Sequence, residues 1–173
     1  MEDTMPGTIN ELRSVIDRSW SAWNAALDRL TEAQWASLRD EQGWTIVDHI
    51  GHIANWERSV AYFLRGLPRH EALGVEEALY LKGDEDATNA AIQLQTRELS
   101  RDQMQAQARV DHADVLRLLE SLDDDQLGLP YRHFLPDEPG DGDGPPAVKV
   151  IVNNTADHYV EHLRWLEALI RRA

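Results

Sequence analysis

The sequence predicts an all-α fold, a four-helix bundle, on three observations. Apolar residues recur at spacings of three and four over long stretches, the period of one helix face. Thr or Ser followed three residues later by Glu, Asp or Gln stands at the head of several such stretches, the reciprocal capping pattern. No stretch alternates apolar and polar residues as a strand does, and no internal repeat is present. At 173 residues, one domain spanning 1–173 is expected.

The first helix is predicted over 9–30, with Ile9, Leu12, Ile16, Trp20, Trp23, Leu27 and Leu30 as its stripe and Thr8 and Glu11 as its cap. Thr31-Glu-Ala-Gln then opens a short turn in which Trp35 and Leu38 pin the chain to the bundle. Thr45 and Asp48 cap the second helix, which turns Ile46, Ile50, Ile53, Val60 and Leu64 inward. Gly66 and Pro68 end it, because Gly tolerates a left-handed residue and Pro cannot continue a helix. Residues 67–83 read as a connection with at most one turn of helix. Beyond Asp84 the apolar period slips, which predicts an extra short helix over 86–98, a kink, and a third long helix over 101–123 restarted by Ser100 and Gln103. Residues 128–146 hold most of the prolines and are read as a loop that forms part of a pocket rim. The last helix is predicted over 147–171, with Val148, Ile151, Val152, Tyr159, Leu163, Leu166 and Ile170 inward. Connections this long argue against a simple up-down-up-down order.

Composition narrows the function. Seventeen Lys and Arg against 31 Asp and Glu leave a net charge of -14. That balance predicts no nucleic-acid partner, since such binders present basic stripes to phosphates, and no docking on an anionic membrane. The chain has no cysteine, which excludes a disulfide framework, a cysteine zinc site and a catalytic thiol. Its N-terminal stretch is acidic, without the apolar centre of a secretory signal, and no apolar run approaches the ~20 residues of a membrane span. A cytoplasmic protein is expected.

The chemistry lies in histidines. His158 and His162 stand one helical turn apart, so both imidazoles project from one face, at the edge of the apolar stripe and within it. The motif alone is weak, and two half-buried histidines satisfied by neighbours remain an alternative. His49 and His52 on the second helix could each supply a third nitrogen, giving a three-imidazole site with open positions, the pattern of a catalytic centre. His49 lies nearer the middle of its apolar face, where a core histidine with a satisfied nitrogen is the favoured reading. Glu57 occupies the centre of the same face. Either it pairs with a cation such as Arg164, or it faces a metal or ligand as a general base or an orienter of a ligand histidine. Asp111 and His112 raise the same alternatives, and His70 and His133 read as surface residues.

Gly43-Trp44-Thr45, with Gly51-His52-Ile53-Ala54 placing His52 eight residues after Trp44, resembles the DinB/YfiT-like superfamily. The run Asn154 to His162 resembles that family's last-helix H-x-x-x-H, and LDRLTEAQW and LLESLDDDQL fit its spacing, so the resemblance covers essentially the whole chain. It implies a four-helix bundle of mixed connection order, usually a homodimer, with a divalent metal on His52, His158 and His162; zinc or nickel is the expected ion, although an all-imidazole triad suits copper and iron as well. His52 rather than His49 matches the family position. Known relatives include bacillithiol- or mycothiol-dependent S-transferases, a mycothiol-dependent maleylpyruvate isomerase and a colibactin-resistance hydrolase. The resemblance therefore implies a metal-dependent enzyme that activates water, or an external low-molecular-weight thiol, for hydrolysis or S-transfer on a small electrophile. Glu57, or an acid from the 128–146 loop, is the residue expected to handle protons. Whether the chain is an enzyme stays open, the alternative being a non-catalytic dimeric bundle that binds a metal or ligand.

Overall fold

Four reciprocal caps set the frame: Thr8 with Glu11, Thr31 with Gln34, Thr45 with Asp48 and Ser100 with Gln103 each close both hydrogen bonds. The computed structural model describes residues 5–140 and 142–172. In chain order the helices are α1 (Ile9–Leu27), α2 (Glu32–Ser37), α3 (Ile46–Leu64), α4 (Arg69–Leu73), α5 (Glu77–Tyr80), α6 (Glu85–Thr96) and α7 (Arg101–Leu119), the four caps opening α1, α2, α3 and α7. A 3-10 turn (Asp124–Gly128), α8 (Tyr131–Phe134), α9 (Ala147–Asn153) and α10 (Ala156–Arg172) complete the chain. The fold is all-α, with no strand among the described residues. Residues 1–4, which begin the stretch read for a secretory signal, and Asp141 of the Pro/Gly loop lie outside the described residues. Among the described residues, no helix is long and apolar enough to cross a membrane.

Leu12, Ile16, Trp23, Ile46, Ile50, Ile53, Leu119 and Tyr159 are fully buried in one core between the four longest helices. Each such side chain contributes about 1.5–3 kcal/mol by leaving water. α1 packs on α10 and α7, and α3 packs on α7 and α10. The successive long helices α1 and α3 therefore stand across the core from each other, the mixed order that the connections implied. This arrangement sets α3 beside α10, the two helices that carry the histidines.

Four stretches depart from the sequence reading. α1 stops at Leu27 rather than residue 30, because the Thr31 cap claims the chain for α2. Residues 67–83 hold two short helices: Pro68 starts the first, and Gly74, at φ +65°, ends it. α7 ends at Leu119, after which Asp123 and Gln126 cap the 3-10 turn and Asp124 Oδ1 accepts from the Ile9 amide at 2.7 Å. The last helix is broken at Asn154. Its amide side chain donates to the Val150 carbonyl (2.7 Å) and the Thr155 hydroxyl to that of Ile151 (2.6 Å), so side chains compete for the helix's own acceptors.

Candidate metal centre

α3 and α10 bring His52, His158 and His162 together. One ring nitrogen of each lies within 4.8 Å of the others, and the Nε2 atoms of His52 and His158 are 2.8 Å apart. The packing that fixes these rings begins before α3. Gly43, at φ +87°, permits a tight turn in which Asp40 Oδ1 accepts from the amides of Gln42 (2.9 Å) and Trp44 (2.8 Å). Trp44 then lays its ring against His49 and His52, with centroids 5.4 and 5.8 Å away, and Thr45 caps the helix that carries both.

The donor set fits a divalent transition metal. Burial lowers the pKa of all three rings, reinforced by the neighbouring imidazoles: His158 falls to about 3, and His52 and His162 fall well below the usual histidine value. They are neutral at pH 7, the form that offers a lone pair to an ion. The Nδ1 atoms of His52 and His158 are buried without a hydrogen-bond partner among the described residues. If both rings carry their proton on Nδ1, two lone pairs face each other across 2.8 Å, an arrangement a cation relieves. Otherwise one Nε2 donates to the other and leaves a buried lone pair on its own Nδ1.

His49 belongs to this arrangement as a support. Its Nδ1 is 3.2 Å from Nδ1 of His162, which leaves His162 Nε2 for the shared site. Its Nε2 lies 3.3 Å from Asp40 Oδ2, an ion-pair distance without the alignment of a hydrogen bond, and Trp165 covers the ring at 3.7 Å. Burial outweighs the pull of Asp40 and lowers the His49 pKa to about 4. The favoured sequence reading, a core histidine with a satisfied nitrogen, describes its burial but missed that the partner is a clustered histidine.

Glu57 is fully buried, and its partner is His112, not Arg164: Oε1 lies 2.9 Å from His112 Nδ1. The Tyr159 hydroxyl approaches the same nitrogen at 3.3 Å, and Trp20 stacks flat on the His112 ring at 4.1 Å. Asp111 accepts from Gln107 and sits 3.5 Å from Arg58, but burial prevails and raises its pKa to about 6. His70 is half-buried near Tyr80 and His133 is exposed; neither joins the cluster.

The three imidazoles line a pocket of about 380 Å³, together with Trp56, Arg69, Asn89 and Asn154, and the exposed acids Glu85 and Glu161 at its edge. Glu57 is not among its lining residues. The 128–146 loop, expected to form part of a pocket rim, does not line this pocket, but its Glu138 and Pro139 line an adjoining one that shares Trp56, Arg69 and Glu85, while Tyr131, Phe134 and Leu135 pack on Phe63, Ala147 and Val150. Arg69 and Asn154 escaped the sequence reading. One sits in the segment read as a plain connection, and the other marks the unforeseen helix break.

Fold and site together define a helical protein with a three-histidine group that could hold a metal ion. The chain belongs to the DinB superfamily, whose sequence model matches residues 15–166. Among solved structures of the same fold, an uncharacterised protein from Escherichia coli UTI89 superposes with a TM-score of 0.75 at 18% identity, covering 98% of this chain and 96% of that one. A Streptococcus pneumoniae protein gives 0.75 at 15% identity, over 95% and 91%. The colibactin self-resistance protein ClbS, crystallised in complex with dsDNA, gives 0.70 at 16% identity, over 97% and 98%. At these identities the likeness is one of fold. No curated protein is significantly similar in sequence. ClbS overturns one expectation, that charge rules out a nucleic-acid partner: a protein of this fold has been crystallised with dsDNA. Net charge sums the whole surface, whereas contact with a phosphate backbone is decided by a local arrangement of groups.

Proposed function

We propose that the protein is a metal-dependent enzyme in which His52, His158 and His162 hold one divalent ion, zinc or nickel. The adjoining pocket admits a small electrophile for hydrolysis or for transfer to an external low-molecular-weight thiol. The observation that carries this reading is the convergence of ring nitrogens from two helices within 4.8 Å at the wall of a pocket. When bound, the ion supplies Lewis acidity, which acidifies a water or thiol and polarises the electrophile.

The chain's own residues do the rest. Burial keeps the three rings neutral, and His49 braces His162 from behind with Asp40 close to its far nitrogen. Trp44 shields His52 on one side. A carboxylate that exchanges a proton with a bound molecule must reach it, and Glu161 and Glu85 line the pocket whereas Glu57 faces His112 in the core. With no cysteine in the chain, the thiol of an S-transfer comes from a second molecule.

Elemental analysis after loading with zinc or nickel tests the centre. The wild type should retain one equivalent, and His52→Ala, His158→Ala and His162→Ala should each weaken retention by more than about tenfold. Unchanged metal content in all three variants removes the triad. Consumption of reactive electrophiles by the loaded protein, with water alone and with several thiols, tests catalysis; metal retention with no turnover leaves a non-catalytic metal-binding protein.

A further inference from the structure

We infer that the pocket takes a small molecule bearing an anionic group, a carboxylate or a phosphate, which sits on Arg69. This rests on the reading of the same pocket as the reaction site and names the class of molecule that enters it. Arg69 is 7% exposed, the one buried Lys or Arg among the described residues. Nε and Nη2 donate to Ser59 Oγ at 3.2 and 2.8 Å, and Nη2 donates to Asn154 Oδ1 at 3.1 Å. Both acceptors are neutral. Arg13, Arg58, Arg65, Arg101 and Arg117 each lie within ion-pair distance of a carboxylate, whereas Arg69 makes no such pair among the described residues.

A buried cation without a counter-ion is costly, so a fold that keeps one at a pocket wall is suited to a ligand that supplies the charge. The guanidinium is held in place for that role. Ser59 and Asn154 engage one edge, Trp56 lies against it with its ring centroid 5.6 Å away, and Nη1 has no hydrogen-bond partner among the described residues. Trp56 is itself fixed by donating Nε1–H to Asn89 Oδ1 at 2.9 Å. Glu85 and Glu161 also line the pocket, but both are exposed, where water and salt screen them more than they screen a buried guanidinium. A molecule with an acidic group at one end would anchor on Arg69 and present its other end to the three imidazoles across the pocket of about 380 Å³.

Calorimetric titration of the full chain with benzoate, phenyl phosphate and benzamide tests this, both zinc-loaded and after chelator treatment. In both states benzoate or phenyl phosphate should bind at least about tenfold tighter than benzamide, and whichever of the two binds tighter identifies the acid as carboxylate or phosphate. Arg69→Gln should abolish the preference and Arg69→Lys should keep part of it. Equal binding of the three probes, or a preference that vanishes with zinc, overturns the inference, and these wild-type arms decide it even if the variants do not fold. Because the zinc-free arm reads Arg69 alone, a failure of zinc to bind the histidines removes the metal centre and leaves this result to stand or fall separately.

Discussion

Replacing His112 by Leu should destabilise the protein severely, because it strands a carboxylate. Glu57 is fully buried, its Oε1 is bonded to His112 at 2.9 Å, and its Oε2 has no hydrogen-bond partner among the described residues. Tyr159 stands by as a neutral hydroxyl, its pKa held well above the usual phenol value by burial and then by Glu57. Removing one side of a buried carboxyl–imidazole pair costs roughly 3–5 kcal/mol where the group left behind is a charge. Loss of the flat stack of His112 on Trp20 adds about 0.5–1.5 kcal/mol. Glu57→Leu should cost less, about 1–3 kcal/mol, since it leaves a neutral imidazole with Tyr159 as a remaining neighbour. The double variant should then fall short of the sum of the two by about 2–3 kcal/mol, because no carboxylate is left to strand. Urea unfolding of the four proteins at pH 7, read as a double-mutant cycle, measures this. Additivity within about 0.5 kcal/mol would refute the argument and show that Glu57 draws its support from elsewhere.

Two further outcomes follow from the same geometry. His49→Phe keeps a ring against Trp165 but removes the nitrogen that faces His162; it should weaken zinc affinity by about 10–100-fold in a chelator competition, and an unchanged affinity would show that His49 only fills space. Asp111 titrates near 6 in the folded chain against 3.8 unfolded, so its protonated form favours folding. That contribution is complete below about pH 4 and is lost as pH rises through 6, which makes Asp111→Asn more stable than the wild type at pH 8 by roughly 1–3 kcal/mol and equal to it near pH 3.5. Thermal melts at the two pH values check this, and a variant no more stable at pH 8 contradicts it.

The long helices were legible because their signals are local. A capping box or a three-four spacing is contained within a turn or two of chain, and Thr8, Thr45 and Ser100 start their helices as read. Ends were less legible because they are settled by competition between adjacent segments. The stripe of α1 continues to Leu30, which is indeed buried, yet the backbone leaves the helix at Leu27 so that Thr31 can cap the next one. At Asn154 an uninterrupted apolar pattern concealed a break made by two short polar side chains bonding backward, a choice that hydrophobic periodicity does not record.

The site divides along the same line. His158 and His162 announce themselves by spacing on one helix, but His52 joins them only because α3 and α10 are neighbours, and that depends on the mixed order of the helices. The family resemblance chose His52 over His49 where position on the helix wheel alone favoured the other. Arg69 shows why composition misled. In a chain of net charge -14, the basic residue that matters is one guanidinium that α4 buries between Ser59 and Asn154. The helix break that places Asn154 there therefore helps to fix the cation at the pocket wall. A charge total cannot register such a group, and for that reason it says as little about a small anion in this pocket as it did about DNA and this fold.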